Sequence, residues 1–89
     1  MSLDEKFKEA SEEVKNLAGR PSNQELLELY ACFKQATTGD NETKKPGMLN
    51  LKDRAKWDAW NELKGTDANA AMEKYTSLVD SLKDQHGTK

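Results

Sequence analysis

Apolar residues recur along the N-terminal part of the chain at the three- and four-residue steps of an α-helix. The members of this first stripe are Phe7, Ala10, Val14 and Leu17. Ser2 stands three residues before Glu5, a spacing typical of a capping box. We expect Gly19 to end this helix, because glycine accepts the left-handed conformation that a helix C-terminus often needs.

A second stripe follows the connector at residues 20–21. Its members are Leu26, Leu27, Leu29, Tyr30, Phe33 and Ala36. The apolar arc is wide, so this helix is expected to contact neighbours on two sides. Residues 22–25 repeat the capping-box pattern, and the Gly-Asp-Asn run at 39–41 is expected to stop the helix. Residues 39–50 have no periodicity and predict a loop.

Two further helices are predicted in the C-terminal half. The third runs from Leu51 to about Leu63, with Asn50 or a near neighbour as its cap and Gly65 at its end. The fourth starts after Thr66 and has the most regular stripe in the chain: Ala68, Ala71, Met72, Tyr75, Leu78, Val79 and Leu82. No alternating pattern of a strand is present, and the chain contains no isoleucine. The class predicted is therefore all-α.

The lengths of the connections indicate how the four helices are arranged. The short links at 19–21 and 64–66 favour antiparallel neighbours. The connection at 39–50 can span roughly 40 Å when extended, whereas a helix of about 16 residues is about 24 Å long. The chain can therefore return along the second helix and start the third parallel to it. This favours an up-down-down-up four-helix bundle in a single domain, residues 1–89.

Composition limits the size of the core and the class of partner. With 89 residues, 35% hydrophobic and 34% charged, the chain fits one small domain. No apolar run reaches the ~18 residues of a membrane span, and the first residues lack a signal-peptide pattern, so a cytoplasmic location is expected. Net charge is −2, yet residues 31–64 hold seven basic and five acidic side chains. This small excess of basic residues is too weak for the extended basic surface that nucleic acid binding needs, but it suits the binding of a small anion.

The sequence contains few of the residues that enzymatic catalysis usually requires. The only histidine, His86, lies near the C-terminus, where a solvated helix end is the expected environment. Cys32 falls in the middle of the second helix and is expected to be a small, partly buried filler. No metal-ligand cluster and no glycine-rich phosphate loop is present. We therefore expect neither a metal site nor enzymatic activity.

A set of lysines and aromatic residues at helical spacing remains. Tyr30 and Lys34 are four residues apart, as are Lys52 and Lys56, so each pair shares a helix face. The other members are Lys15, Phe33 and Tyr75. Taken singly, such lysines are usually solvated and such aromatics are usually core. Together they could form a pocket with ammonium groups for phosphates and ring faces for a base.

Three stretches carry a resemblance to a known family: residues 29–40 (LYACFKQATTGD), 45–49 (KPGML) and 55–61 (AKWDAWN). The chain resembles the acyl-CoA-binding protein family from Phe7 to about Leu82. The motifs are specific, because the Tyr-x-x-aromatic-Lys-Gln-Ala-Thr run and the Lys-Trp-x-x-Trp run stand at the family's spacing. One departure is Phe33, where the family commonly has tyrosine.

The resemblance implies an up-down-down-up bundle that binds one fatty-acyl-CoA without catalysis and without a cofactor. In the family, Tyr30, Lys34 and Lys56 would hold the 3′-phosphate of the CoA ribose, and Phe33 would lie against the adenine. The remaining contacts would come from Lys15 and Lys52 at the nucleotide and phosphates, and from Tyr75 along the ligand path. Both tryptophans, Trp57 and Trp60, would be mainly structural.

The resemblance also favours particular partners. An intracellular, monomeric carrier is implied, with transient contact with membranes or with enzymes that use acyl-CoA, and with no nucleic acid. Leu27 and Ala55 could supply apolar surface for the acyl tail. Two other functions stay open: a protein-interaction bundle on the same scaffold, and an acyl-CoA hydrolase, which the missing nucleophile–histidine pair disfavours.

Overall fold

The computed structural model describes residues 2–88, so residues 1 and 89 of the predicted domain lie outside it. Its helices are α1 (Leu3–Glu13), α2 (Asn23–Thr37), α3 (Leu51–Asn61) and α4 (Ala68–His86). The all-α class and the four helices are confirmed. Within residues 2–88 the only β-type pairing is one isolated bridge between Leu17 and Thr88. None of these helices has the length and apolarity that crossing a membrane requires.

The predicted capping box is complete at α2 and half present at α1. The Ser22 hydroxyl accepts from the Glu25 amide at 3.2 Å, and the Glu25 carboxylate accepts from the Ser22 amide at 2.8 Å. At α1, Ser2 accepts from the Glu5 amide at 3.2 Å, and no return bond from the carboxylate accompanies it. The reciprocal bond depends on the rotamer of a long side chain, which spacing does not determine.

Helices α3 and α4 begin differently from each other. Asn50 takes the cap position of α3, but its side chain makes no capping hydrogen bond, so its predicted capping role is only positional. Asp67 caps α4 through its carboxylate, which accepts from the Ala70 amide at 2.8 Å. An acidic cap also suits the positive end of the helix dipole.

The end of α1 is not where the glycine pattern predicts it. The α-helix stops at Glu13 and continues as a single 3₁₀ turn, Val14–Asn16, and Gly19 is not in the left-handed region. A Cβ built on Gly19 would lie 2.6 Å from Nδ1 of His86. Gly19 therefore makes room for a neighbouring side chain. His86 is consequently half-buried, and its predicted solvated position is wrong.

The predicted stops after α2 and α3 do hold. Gly39 follows the last turn of α2 and Gly65 follows α3, each with φ of +91°. Only glycine adopts that conformation without strain. Both chain reversals therefore occur at the residues that the sequence pattern indicates.

Contacts between helices α2 and α3 show that they run parallel. The Lys56 ammonium lies 5.6 Å from the Tyr30 ring centroid, and the Lys34 ammonium lies 4.9 Å from that of Trp60. Moving one turn along α2, from Tyr30 to Lys34, is therefore matched by moving one turn in the same direction along α3, from Lys56 to Trp60. The long connection returns the chain as predicted.

Helices α1 and α4 are parallel by the same argument. The rings of Phe7 and Tyr75 are 5.1 Å apart, and further along both helices the Glu13 carboxylate binds the Lys83 ammonium at 2.8 Å.

Helices α2 and α4 run in opposite directions. At α2, Gln35 donates to the carbonyl of Thr66, just before α4, at 2.7 Å, whereas Phe33, earlier in α2, lies 5.9 Å from Tyr75, further along α4. Helices α2 and α4 are therefore antiparallel, and the predicted up-down-down-up order is confirmed. The core lies between α1, α2 and α4, and its fully buried members are Ala71, Val79 and Leu82.

The loop between α2 and α3 is anchored by a buried glutamine. Gln35 is 1% exposed, and its amide group donates to Asp40 at 2.9 Å and to the Thr66 carbonyl at 2.7 Å. The same Asp40 oxygen accepts from the Gly65 amide at 2.8 Å. These bonds tie the end of α2 to the connection that precedes α4.

Both tryptophans of α3 hold the same loop. The Trp60 indole donates to the Gly39 carbonyl at 2.9 Å, and the Trp57 indole donates to the Thr43 carbonyl at 3.1 Å. Between them, buried Asn41 donates to the Trp57 carbonyl at 3.3 Å and accepts from the Thr43 amide at 2.9 Å. The loop is therefore fixed to α3 along its first half.

Asp40 makes the stability of this anchor dependent on pH. Hydrogen bonds from the Gly65 amide and from Gln35 hold the pKa of Asp40 below its usual value. A lowered folded-state pKa adds stability above the unfolded value, and that stability is lost as pH falls through the folded value. We predict that Asp40→Asn lowers the free energy of unfolding at neutral pH, in urea titrations.

The difference between wild type and Asp40→Asn should close in acid, because a protonated Asp40 resembles asparagine. The control is Glu9→Gln on the exposed side of α1, which removes the same charge. A difference that stays constant down to the lowest pH would show that the Asp40 charge has no stabilising role.

Candidate functional site

A groove opens between the starts of α2 and α3. Its cavity has a volume of about 480 Å³ and is lined by Arg20, Asn23, Leu26, Leu27, Tyr30, Leu51, Lys52, Ala55 and Lys56. Leucine and alanine side chains form an apolar floor, and three cations surround it. Because α2 and α3 are parallel, both helix N-termini lie at this end, and their dipoles also favour anions. The groove can therefore accept a molecule that is anionic at one end and apolar at the other.

Tyr30 and Lys56 meet across the α2–α3 seam. The 5.6 Å between the Lys56 ammonium and the Tyr30 ring centroid is within cation–π range. The tyrosine is half-buried and the lysine is exposed. This contact presents an ammonium group and a phenol hydroxyl from adjacent helices to the groove.

Lys34 lies one turn further along the same seam. Its ammonium stands 4.9 Å from the centroid of Trp60, whose ring is 4% exposed. Lys34 is half-buried and is not part of the groove lining. Since it follows Tyr30 by one helical turn, its flexible stem projects from the α2 face that also carries Tyr30.

Phe33 and Tyr75 belong to an aromatic cluster completed by Phe7. The rings of Phe33 and Phe7 stack at 5.5 Å, and those of Phe33 and Tyr75 are 5.9 Å apart. Phe33 is 38% exposed whereas Tyr75 is 4% exposed. Burial raises the pKa of the Tyr75 hydroxyl. Phe33 is thus partly open to solvent, while Tyr75 lies mainly in the core.

Lys15 stands apart from the other site residues. It lies exposed in the 3₁₀ turn after α1, and no described contact joins it to them. The structure thus brings Tyr30, Lys52 and Lys56 to one groove and places Lys34 next to it. The aromatic pair Phe33 and Tyr75 forms a separate cluster on α2 and α4.

Sequence reasoning missed several groove residues. Arg20 precedes α2 and supplies a cation, while Leu26 and Leu51 widen the apolar wall. The signal available was the breadth of the α2 stripe, which has more apolar positions than one core contact needs. Leu27 and Ala55, expected to supply apolar surface, do line the groove.

A second cavity of about 470 Å³ lies among α2, α3 and α4. It shares Leu27 and Ala55 with the groove, and its floor includes Ala31, Cys32 and Leu63. Its charged lining is different in sign: Glu28, Asp58, Glu62 and one cation, Lys74. This acidic cavity repels phosphate groups, so the two cavities differ in the ligands they can accept.

The model of the Acyl CoA binding protein family matches residues 4–79 of the chain. The chain belongs to the acyl-CoA-binding protein family. It is 52% identical to an acyl-CoA-binding protein homolog of Drosophila melanogaster over 80 residues, which cover 90% of this chain and 93% of the fly protein. It is also 53% identical to an acyl-CoA-binding protein of Saccharomyces cerevisiae over 76 residues, covering 85% of this chain and 87% of the yeast protein.

A solved structure of the same family has the same fold. The crystal structure of Oryza sativa acyl-CoA-binding protein 2 superposes with a TM-score of 0.90 at 43% identity, covering 93% of this chain and 90% of the rice chain. The acyl-CoA-binding protein resemblance noted in the sequence is thereby confirmed. This chain and the rice chain therefore share one backbone fold.

The cysteine of this acyl-CoA-binding protein family member lies in the wall of the acidic cavity. Cys32 is 7% exposed, as its predicted role of a partly buried filler requires. Burial raises the pKa of the Cys32 thiol, and the Lys74 ammonium only partly offsets that effect. A thiol is a weak nucleophile until it is deprotonated, so the environment suppresses its reactivity.

We predict that iodoacetamide alkylates Cys32 much more slowly in the folded protein than in the urea-unfolded chain. The reason is the combination of low exposure and a raised thiol pKa. Mass spectrometry of quenched time points measures both rates. Equal rates in the two states would contradict the buried, protonated thiol.

Proposed function

We propose that this protein binds medium- to long-chain fatty-acyl-CoA thioesters, one per molecule, in the groove between the starts of α2 and α3. The observation that carries the proposal is the lining of that groove, where three cations surround an apolar floor. The names of the fly, yeast and rice relatives describe acyl-CoA binding for those proteins. The anionic CoA head matches the three cations of the lining, and the acyl tail matches its apolar floor.

The CoA head explains the cations. It carries about four negative charges on its phosphates, and hydrogen bonds to charged groups are stronger than neutral ones. In the proposed arrangement Tyr30, Lys34 and Lys56 hold the 3′-phosphate, and Lys52 and Lys15 approach the remaining phosphates and the nucleotide. Lys34 and Lys15 reach the ligand from outside the groove by their flexible stems.

The adenine and the acyl chain use the uncharged surfaces. Phe33 offers its exposed ring face to the adenine, and Tyr75 borders the ligand path behind it. The acyl tail lies over Leu26, Leu27, Leu51 and Ala55. Burial of this tail removes apolar surface from water, which is the main source of affinity for long chains.

The acidic cavity is the competing location for the ligand. Its apolar floor could cover an acyl tail, but Glu28, Asp58 and Glu62 would stand beside the phosphates. Like charges in close contact cost free energy that a single lysine does not offset. The charge difference between the two cavities therefore selects the groove.

We propose binding without catalysis. Hydrolysis of a thioester would need a nucleophile beside a base. Cys32 is buried near Lys74, and His86 follows Lys74 by twelve residues on the same helix, a rise of about 18 Å. That separation disfavours a thiol–imidazole pair. We propose further that the protein is a cytoplasmic monomer that needs no cofactor.

The biological role we propose is that of an acyl-CoA carrier and pool former. A free long-chain acyl-CoA is an amphiphile that enters membranes, so a soluble host keeps it available. Delivery requires transient contact with membranes or with enzymes that use acyl-CoA. The alternative is a bundle that only binds other proteins, and titration with acyl-CoA distinguishes the two.

The first test removes, one at a time, the two lysines assigned to the 3′-phosphate. We predict that Lys34→Ala and Lys56→Ala each weaken acyl-CoA binding by roughly 1.5–3 kcal/mol, the range for hydrogen bonds to charged groups. Lys74→Ala, which removes the only cation of the acidic cavity, should have little effect. Isothermal titration calorimetry of each variant measures the difference.

The same titrations should use an acyl-CoA that lacks the 3′-phosphate. The wild type should bind it weakly, and the Lys34→Ala and Lys56→Ala variants should barely distinguish the two ligands. Lys83, which binds Glu13 across α1 and α4, is unsuitable as a control because its loss also removes a structural ion pair. Equal wild-type affinity for the two ligands would reject the phosphate assignment.

The second test varies the length of the acyl chain. Each methylene removed from water contributes about 0.8 kcal/mol when fully buried, so affinity should rise steeply from free CoA. It should then level off once the tail extends beyond the apolar floor. Free fatty acid, which lacks phosphates, should bind poorly.

Calorimetry over the whole series provides the readout, and the heat capacity change should become more negative with chain length. Similar affinity for free CoA and palmitoyl-CoA would reject the carrier. An absence of any binding would favour the protein-interaction bundle, and release of free fatty acid during incubation would favour a hydrolase.

A further inference from the structure

Three large apolar side chains project into solvent beside the groove. Met48 is 78% exposed, Leu49 is 98% exposed and Leu51 is 74% exposed. They stand at positions 48, 49 and 51, where the loop meets the first residue of α3, and we name them the apolar tip. A contiguous exposed apolar surface of this kind marks an interaction site more often than scattered single residues do.

The apolar tip is built on a supported backbone. The Asn50 amide donates to the Gly47 carbonyl at 3.1 Å, and the Arg54 amide donates to the Asn50 carbonyl at 2.9 Å, so the tip is a turn continuous with α3. Lys45, at its base, lies 5.4 Å from the Trp57 ring centroid. The tip is therefore presented outward by the scaffold.

Charge around the apolar tip is opposite to that of the rest of the chain. Residues 44–56 contain five basic side chains and one acidic side chain, a net charge of +4. The whole chain carries −2, so the remaining residues together carry −6. An anionic surface is consequently attracted to this end of the molecule and repelled by the others.

We propose that the apolar tip and its surrounding lysines and arginine dock on an anionic lipid bilayer. Apolar side chains that enter the interfacial region, flanked by cations at headgroup level, are the requirements for such binding. A second copy of the chain would bring the same net positive segment against this one and be repelled. The charge therefore favours a lipid surface over self-association.

Docking at the apolar tip would also orient the proposed carrier. Leu51 and Lys52 belong both to this surface and to the groove lining, so the groove opens at the membrane. This inference specifies the membrane contact of the carrier proposed above. Its test uses the ligand-free protein, so docking and acyl-CoA binding can fail independently.

The test measures co-sedimentation of the ligand-free protein with vesicles of equal parts phosphatidylcholine and phosphatidylserine, and with vesicles of phosphatidylcholine alone. Wild type should bind the anionic vesicles and not the neutral ones, and added salt should weaken that binding. Leu49→Asp should lower the vesicle affinity at least about tenfold, because the leucine side chain that would enter the bilayer is lost. Its control is Asn69→Asp, which makes the same charge change in the exposed first turn of α4.

The contribution of charge is tested by a second pair. Lys44→Gln should weaken binding to the anionic vesicles about fivefold, the effect of one basic residue near the surface. Lys64→Gln, just beyond α3 at its other end, should leave binding unchanged. Circular dichroism should show the same melting temperature for Leu49→Asp and wild type, since the side chain makes little contact; Leu49→Ala provides a milder variant.

Three outcomes would overturn the proposal. One is vesicle binding that Leu49→Asp and Leu49→Ala leave unchanged. Another is equal binding to neutral and anionic vesicles. The third is a wild type that does not bind vesicles but self-associates in sedimentation through this surface, which would assign the apolar tip to a second copy.

Discussion

The arrangement of this bundle depends on how the loop between α2 and α3 is anchored. Gln35 and Asp40 connect the end of α2 to the segment before α4, and two indole groups of α3 bind carbonyls of the loop. Without these bonds the loop would be free to let α3 reverse beside α2, since antiparallel packing is the usual outcome of a shorter link. Anchoring it makes α3 parallel, and parallel helices place both N-termini at one end. The groove, its cations and the apolar tip all follow from that single geometric consequence.

The parallel seam also separates two electrostatic environments. Leu27 and Ala55 line both cavities, so one layer of small and medium side chains divides a cationic groove from an acidic one. The chain as a whole is acidic, yet its positive charge is concentrated in and after the loop. A bundle of this size has too little interior to bury an entire ligand. Discrimination is therefore achieved at the surface, by charge at one end of a groove and apolar area at the other.

The sequence predicts the helices well because their periodicity is local. It also favours the parallel α3, because the connection at residues 39–50 is long enough to return along α2. The role of Gly19 was not predictable, since it depends on His86, which lies far away in the chain and meets it only after folding. Spacing placed Tyr30 and Lys34 on one face of α2. It could not show that the Lys56 ammonium lies over the Tyr30 ring, or that the Lys34 ammonium lies over the Trp60 ring. The exposure of Leu49 and Leu51 was not predictable for the same reason, because an apolar residue at a helix start can belong either to the core or to the surface.

Locating the bound acyl chain tests most directly whether the ligand occupies the cationic groove between α2 and α3. Nuclear Overhauser effects between the methylene protons of bound palmitoyl-CoA and the methyl groups of an isotope-labelled protein report contacts within about 5 Å, comparable to van der Waals neighbours. Binding in the cationic groove predicts contacts from the acyl chain to Leu26 and Leu51, which line only that groove. Contacts to Ala31, Leu63 and Leu78 instead, which line only the acidic cavity, would contradict it.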